Sequence, residues 1–302
     1  MRAMAFSAAV LVLAGAVGSP SAVATPSAHP DGPMVIAHRG GTADYPENTM
    51  LAITNAVRAG VDGLWLTVQA SSDGVPVLYR PSDLSALTNG AGAVNAKTAA
   101  ELAQLNAGWN FPGADGYPYR EQTTPIPTLE QAIAAIPPAI SLFLDLKQTP
   151  PGPVVAAVTD VLRRTGANSR TTIYSTDADI TDLALQQRDL NVAESRDVTR
   201  KRLLDIALAH RCDPPPRPGV WAGFELHRDL TVTEQFTLGT GVTEITAQLW
   251  DPESVECFTA QSGSRVIGFA VNTEDDYKVA DKIGLDAVLV NSPSAARQWR
   301  EG

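Results

Sequence analysis

The stretch MVIAHRGGTADYPENT occupies residues 34–49, and its order decides how the rest of the chain is read. Residues 34–37 are apolar without a break, the pattern of a strand buried on both faces in a parallel sheet. His38 and Arg39 follow at once, so two ionisable side chains stand at the C-terminal end of that strand. The glycines at 40 and 41 end the strand, and residues 49–59 repeat their apolar positions with helical period. Asn48 is of the residue type that caps such a helix. Strand, polar loop and helix make one βα unit. Its chemistry-bearing residues lie at the strand's C-terminal end, where parallel α/β folds build their sites.

The same alternation continues down the chain. Strands are expected at residues 64–69, 141–146, 171–174, 191–193, 220–226, 243–248, 265–271 and 287–290, with an extended arm at 75–79. Helical periods fall at 154–164, 180–187, 198–209, 252–261 and 273–283. With residues 34–37 this gives nine strands where a closed barrel takes eight. Residues 220–226 are read as the excursion, because they follow the proline-rich loop 214–218. The expected fold is α/β, a (β/α)8 TIM barrel with an insertion after the second strand, at residues 90–128. A doubly wound open sheet is the alternative, weakened by the lack of a glycine fingerprint after any strand.

Composition bounds the partners. The 302 residues carry a formal net charge of −10, with 44% hydrophobic and 19% charged residues. That balance suits a folded domain and argues against nucleic acid or anionic lipid as the main partner, since both demand a basic footprint. Arg2, the apolar run 5–18 and the small residues Ala22-Val23-Ala24 read as an export signal cleaved after Ala24, with a flexible leader at 25–33. No integral membrane segment is expected in the mature chain, residues 34–302 forming the barrel domain. Cys212 and Cys257 are the only cysteines, and an exported chain with an even pair is expected to bridge them.

The residues Ala37-His38-Arg39-Gly40-Gly41 and Tyr45-Pro46-Glu47-Asn48-Thr49 resemble the opening signature of glycerophosphodiester phosphodiesterases. Weaker likenesses run through residues 59–63, 72–77, 144–147, 268–272 and 284–293. The resemblance implies a (β/α)8 barrel that hydrolyses glycerophosphodiesters to an alcohol and glycerol 3-phosphate with a divalent cation, calcium or magnesium. It implies His38 as the catalytic acid–base and Glu47 and Asp145 as cation ligands; Arg39, Arg80, Lys147, Trp65 and Phe269 are this chain's candidates to surround a small phosphodiester or phosphorylated polyol.

The chain departs from that pattern where the chemistry is concentrated. The family carries a glutamate and an aspartate two residues apart on its second strand; Trp65 and Thr67 stand there. Hard cations need several oxygen ligands with carboxylates among them, and an indole offers none. The family's second histidine and its neighbouring aspartate correspond to Arg80 and Pro81. A guanidinium cannot serve as a base, though it can bind a phosphate oxygen. Two readings of the cationic trio Arg39, Arg80 and Lys147 stay open: a phosphate-facing cluster, or ion pairs with Glu47 and Asp145. Trp65 is either core filler or a platform for a ligand. The function expected is a phosphodiesterase with weakened or altered turnover, or a phosphate- or sugar-binding pseudoenzyme.

Overall fold

A computed structural model of the chain describes residues 32–261 and 263–301. The expected export signal and nearly all of the leader lie outside the described residues. In chain order the strands are β1 (Met34–His38), β2 (Gly63–Ala70), β3 (Pro76–Leu78), β4 (Ser141–Leu146), β5 (Thr171–Tyr174), β6 (Asn191–Val192), β7 (Trp221–Glu225), β8 (His227–Phe236), β9 (Gly239–Gln248), β10 (Arg265–Phe269) and β11 (Ala287–Val290). The helices are α1 (Met50–Arg58), α2 (Ala99–Leu102), α3 (Leu129–Ala135), α4 (Pro151–Thr165), α5 (Ala178–Leu185), α6 (Arg196–Ala209), α7 (Pro252–Thr259), α8 (Glu274–Ile283) and α9 (Pro293–Glu301).

Eight parallel strands run in the order β6-β5-β4-β2-β1-β11-β10-β7. The remaining seam is spanned where the Glu194 N–H donates to the Trp221 carbonyl at 2.8 Å. The result is a nearly closed (β/α)8 barrel. Period two divides each strand between two environments. On β2, Leu64, Leu66 and Val68 pack outward in the large cluster shared with the helices. Trp65 points into the lumen with Ile36, Phe143, Tyr174, Ile267, Phe269 and Leu289. Gly223 on β7 is what admits Phe269, since a Cβ there would lie 2.4 Å from the ring's Cζ.

Two expectations are corrected. Residues 220–226 are not the excursion: Trp221–Glu225 pairs with Arg265–Phe269 in parallel register and is a barrel strand. The excursion is the segment that contains residues 243–248. It forms β9, which pairs only with β8 as a separate antiparallel ribbon. Alternation marks both segments as strands and carries no information about which sheet they join; the prolines before Val220 belong to an entry loop that ends at Gly219 with φ 72°. The second correction concerns the cap of α1. Thr49 is the cap, its hydroxyl accepting from the Ala52 N–H at 3.2 Å, while Asn48 sits at φ 57° and turns inward.

The insertion has a small core of its own, built from Val77, Tyr79, Leu84, Val94, Leu102, Ala107 and Ile126. The Tyr79 hydroxyl donates within it, 3.1 Å from the carbonyls of Asp83 and Leu84. Gln69 Nε2 donates to the carbonyls of Tyr79 and Pro81, each at 3.0 Å. These bonds hold the arm from which Arg80 leaves. Cys212 and Cys257 are joined with their Cα atoms 5.8 Å apart, tying the loop after α6 to α7. Nearby His210 ends α6 at φ 50°, with Nδ1 2.8 Å from Glu253 Oε2. No helix among the described residues is long and apolar enough to cross a membrane.

Candidate functional site

The barrel's C-terminal mouth collects side chains from every quarter of the sequence. β1 supplies His38, β2 Thr67, β4 Asp145 and β10 Phe269, while Asn291 follows β11. The loop after β1 adds Arg39, Glu47 and Asn48. Three of the four non-glycine residues with positive φ among the described residues lie here: Arg39 at 52°, Asn48 at 57° and Ala270 at 59°. Such backbone costs energy and persists where surrounding bonds hold it. Here the Arg39 N–H donates to the Trp65 carbonyl at 2.6 Å and the Asn48 N–H to the Arg39 carbonyl at 2.8 Å. Asn48 Oδ1 in turn accepts from the Thr67 N–H at 3.0 Å.

His38 Nδ1 lies 2.7 Å from Asn291 Oδ1. That oxygen can only accept, so the proton sits on Nδ1 and Nε2 keeps its lone pair. Asn291 is itself fixed, its N–H donating to Asn272 Oδ1 at 3.0 Å. Burial, with Arg39 and then Arg80 adding repulsion, depresses the His38 pKa to about 4 against the bond from Asn291. The imidazole is neutral at physiological pH. Its folded pKa lies below the unfolded value of 6.5, so the linked stability is present above pH 6.5 and is lost as pH falls towards 4; the effect is about 3 kcal/mol. Burial pushes the Asp145 carboxyl up, against Lys147, Arg39 and Arg80, an opposing contribution to any global curve. The check is therefore local. NMR titration is expected to show the His38 ring unprotonated down to about pH 5, and Asn291→Ala to lower its midpoint further.

The cations divide. Arg39 Nη1 donates to Glu47 Oε2 at 2.7 Å, and Lys147 Nζ stands 3.1 Å from Asp145 Oδ1 while donating to Thr176 Oγ1 at 2.6 Å. The ion-pair reading holds for these two. Arg80 has no side-chain hydrogen bond or ion pair among the described residues. It shares with Lys147, Gln69, Ser82, Asn95 and Thr176 the wall of a cavity of about 690 Å³ beside the mouth. Asp177 lines the same cavity, so around it Arg39, Arg80 and Lys147 stand against Glu47, Asp145 and Asp177 in a chain of net charge −10.

Trp65 is core rather than platform. It is 4% exposed, with ring centroids 4.8 Å from Tyr174, 5.2 Å from Phe269 and 5.8 Å from Phe143. Phe269 is buried beside it. Neither aromatic offers a face to a ligand.

The residues do not fit a divalent cation. At the mouth Arg39 Nε, Glu47 Oε1, Asn48 Nδ2, Thr67 Oγ1 and Asp145 Oδ1 are buried without hydrogen-bond partners among the described residues, and Asp145 Oδ1 lies 3.1 Å from the Lys147 ammonium. Two of these five are N–H donors, which a cation would repel. Glu47 and Asp145 each already face a cationic side chain, and Trp65 fills the lumen between the strands that would carry further ligands. Among the described residues no group of three His, Cys, Asp or Glu side chains converges to hold a metal.

Sequence reasoning placed His38, Arg39, Glu47, Arg80, Asp145 and Lys147 at or beside one mouth, and the structure brings them together. It missed the roles of Asn291, Asn272, Thr176 and the Asn48–Thr67 bond. Asn291 had a usable signal, standing just past the end of the last strand.

The fold and its mouth define an α/β barrel with a polar cavity lined by Arg80 and Lys147 and one neutral histidine at the strand ends. The glycerophosphoryl diester phosphodiesterase family model matches residues 38–295, and the chain belongs to that family. An uncharacterized protein of Mycobacterium tuberculosis is 66% identical over 293 residues, covering 96% of this chain and 97% of its own length. The crystal structure of that protein's glycerophosphoryl diester phosphodiesterase domain is 67% identical, with a TM-score of 0.83 over 89% of this chain and 99% of the domain. Human glycerophosphodiester phosphodiesterase 1 is 35% identical over 113 residues, 37% of this chain and 33% of that protein. A phosphodiesterase of Oleispira antarctica, solved in complex with the product sn-glycerol-3-phosphate, shares the fold at 24% identity with a TM-score of 0.64, over 89% of this chain and 97% of that one. Hydrolysis of glycerophosphodiesters is the family's activity, and the family generally uses a divalent cation.

Proposed function

We propose that this chain is an exported member of the family that binds a small phosphodiester or phosphorylated polyol and has lost metal-dependent hydrolysis. One observation carries the reading: Arg80 stands with Lys147 in the wall of the large cavity, in place of the family's second histidine, with no anion of the protein on its guanidinium. A phosphate oxygen supplies what that group lacks, because a guanidinium presents paired N–H donors that match it. Lys147 adds a point charge, and the lone pair on His38 Nε2 accepts a hydrogen bond from a ligand hydroxyl.

Hydrolysis at a family-like rate is not supported by these residues. A missing general acid or base costs about 10²- to 10⁴-fold, and Arg80 cannot replace it. Loss of a polarising cation removes several kcal/mol more of transition-state stabilisation. The decisive experiment measures binding and turnover together. Calorimetry with sn-glycerol 3-phosphate and with inorganic phosphate is expected to show binding unaffected by EDTA. Glycerophosphocholine is expected to show no turnover with calcium or magnesium. Metal-stimulated turnover abolished by His38→Ala would overturn the proposal, and so would failure of both phosphates to bind. Arg80→Ala is expected to weaken sn-glycerol 3-phosphate binding about tenfold, while its exposed position keeps the stability change within about 0.5 kcal/mol.

A further inference from the structure

β8 and β9 form a ribbon of ten residues per strand that pairs with nothing but itself. It leaves the barrel just after Glu225, whose register partner is Phe269, so it rises from the same rim as the candidate site. Its register separates two faces. One side is mainly apolar: Leu230, Val232 and Phe236 stand there with Ile245 and two glycines, and Glu234 and Thr243 are the polar residues among them. The opposite side is mainly polar, with Asp229, Thr231, Gln235 and Glu244, and Val242 is its apolar exception. The Phe236 ring lies over Gly241, where a Cβ would come within 2.6 Å of it.

The apolar side has no cover. Val232, Phe236 and Ile245 are 40%, 57% and 42% exposed, and Leu238 in the two-residue turn is 99% exposed. Such turns favour glycine, asparagine or aspartate, so leucine there serves something other than the turn. A lone two-stranded ribbon is marginal in water, and exposed apolar patches mark contact surfaces.

We propose that this ribbon docks the protein on an uncharged or zwitterionic lipid surface, with Phe236 and Leu238 inserted at the tip. Charge selects that surface. Residues 227–248 hold Arg228 against Asp229, Glu234 and Glu244, and no Lys or Arg occurs from 229 to 264. An anionic surface would repel a ribbon so charged on a chain of net −10. Area argues against a second copy of the chain. Ten residues at about 3.4 Å rise, in two strands about 5 Å apart, present roughly 340 Å², well under the roughly 800 Å² that each partner of a stable dimer buries. A protruding apolar tip needs no matching surface, and lipids supply none. This inference stands on the ribbon alone and does not depend on the reading of the mouth.

The test uses the full chain and phosphatidylcholine vesicles at about 0.15 M salt. Co-sedimentation is expected, reduced at least about tenfold by the double substitution Phe236→Ser and Leu238→Ser. A Leu238→Trp variant is expected to shift its emission to the blue on adding the same vesicles. Both variants change exposed tip positions, and far-ultraviolet circular dichroism checks that the barrel is unaltered. Four results would each overturn the proposal: no vesicle binding, equal binding by the double variant, binding only to phosphatidylglycerol vesicles, or a solution dimer that the double substitution dissolves.

Discussion

Trp65→Ala is expected to destabilise the protein by about 3–5 kcal/mol, the range for deleting a large aromatic from a packed interior. The indole is buried at the point where β1, β2, β4, β5 and β10 turn their side chains inward. Phe143 stacks on it at an interplanar angle of 10°, and Tyr174 and Phe269 meet it at 60° and 76°. Three aromatic rings cannot collapse into the space it leaves, because strand register fixes where each begins. A urea titration measures the loss as a lower midpoint with unchanged slope. Adding calcium or magnesium to the variant should recover none of it, since the cavity is lined by carbon and the nearest carboxylates are paired. Full recovery of stability on adding either ion would sink the assignment of Trp65 as structural.

Removing the bridge between Cys212 and Cys257 comes second in size. It closes a 45-residue separation, for which loop entropy gives about 4 kcal/mol of stabilisation through the unfolded state. For a domain of this size that corresponds to a fall in Tm of about 10 °C, measured by calorimetry on the Cys212→Ser, Cys257→Ser variant. The effect should be concentrated in α6 and α7. His210 and Glu253 connect the same two elements at 2.8 Å, yet both side chains are exposed, and such a pair offsets little of the loss. Hydrogen exchange should therefore show the loop after α6 opening well before the mouth.

Legibility followed the physics of each feature. The barrel was readable because buried parallel strands write continuous apolar runs, and MVIA before His38 is such a run. The departures at Trp65, Thr67 and Arg80 were readable because the resemblance to the family gives a pattern to depart from, and period two puts residues 65 and 67 on one face. The ribbon was not, because β9 and a barrel strand share the same alternation; only pairing across the sheet distinguishes them. The pairings of Arg39 with Glu47 and of Lys147 with Asp145 were legible only as alternatives, since reach and angle decide between a ligand and a neighbour. Asn272 was missed because an amide in a loop has no pattern; Asn291 had its place past the last strand as a signal, but its partner became visible only when folding closed a 253-residue separation from His38 to 2.7 Å.

The indole in the lumen has one further consequence, and it concerns supply. A mouth ringed by carboxylates ties its folding to the concentration of the ion that neutralises them, through a free energy that grows as the logarithm of that concentration. On the proposed reading Trp65 severs that tie. The lumen is filled by the chain's own carbon, so the folded population is expected to be the same in a medium stripped of divalent ions as in one rich in them. A protein built this way would keep its shape wherever calcium and magnesium are scarce or contested.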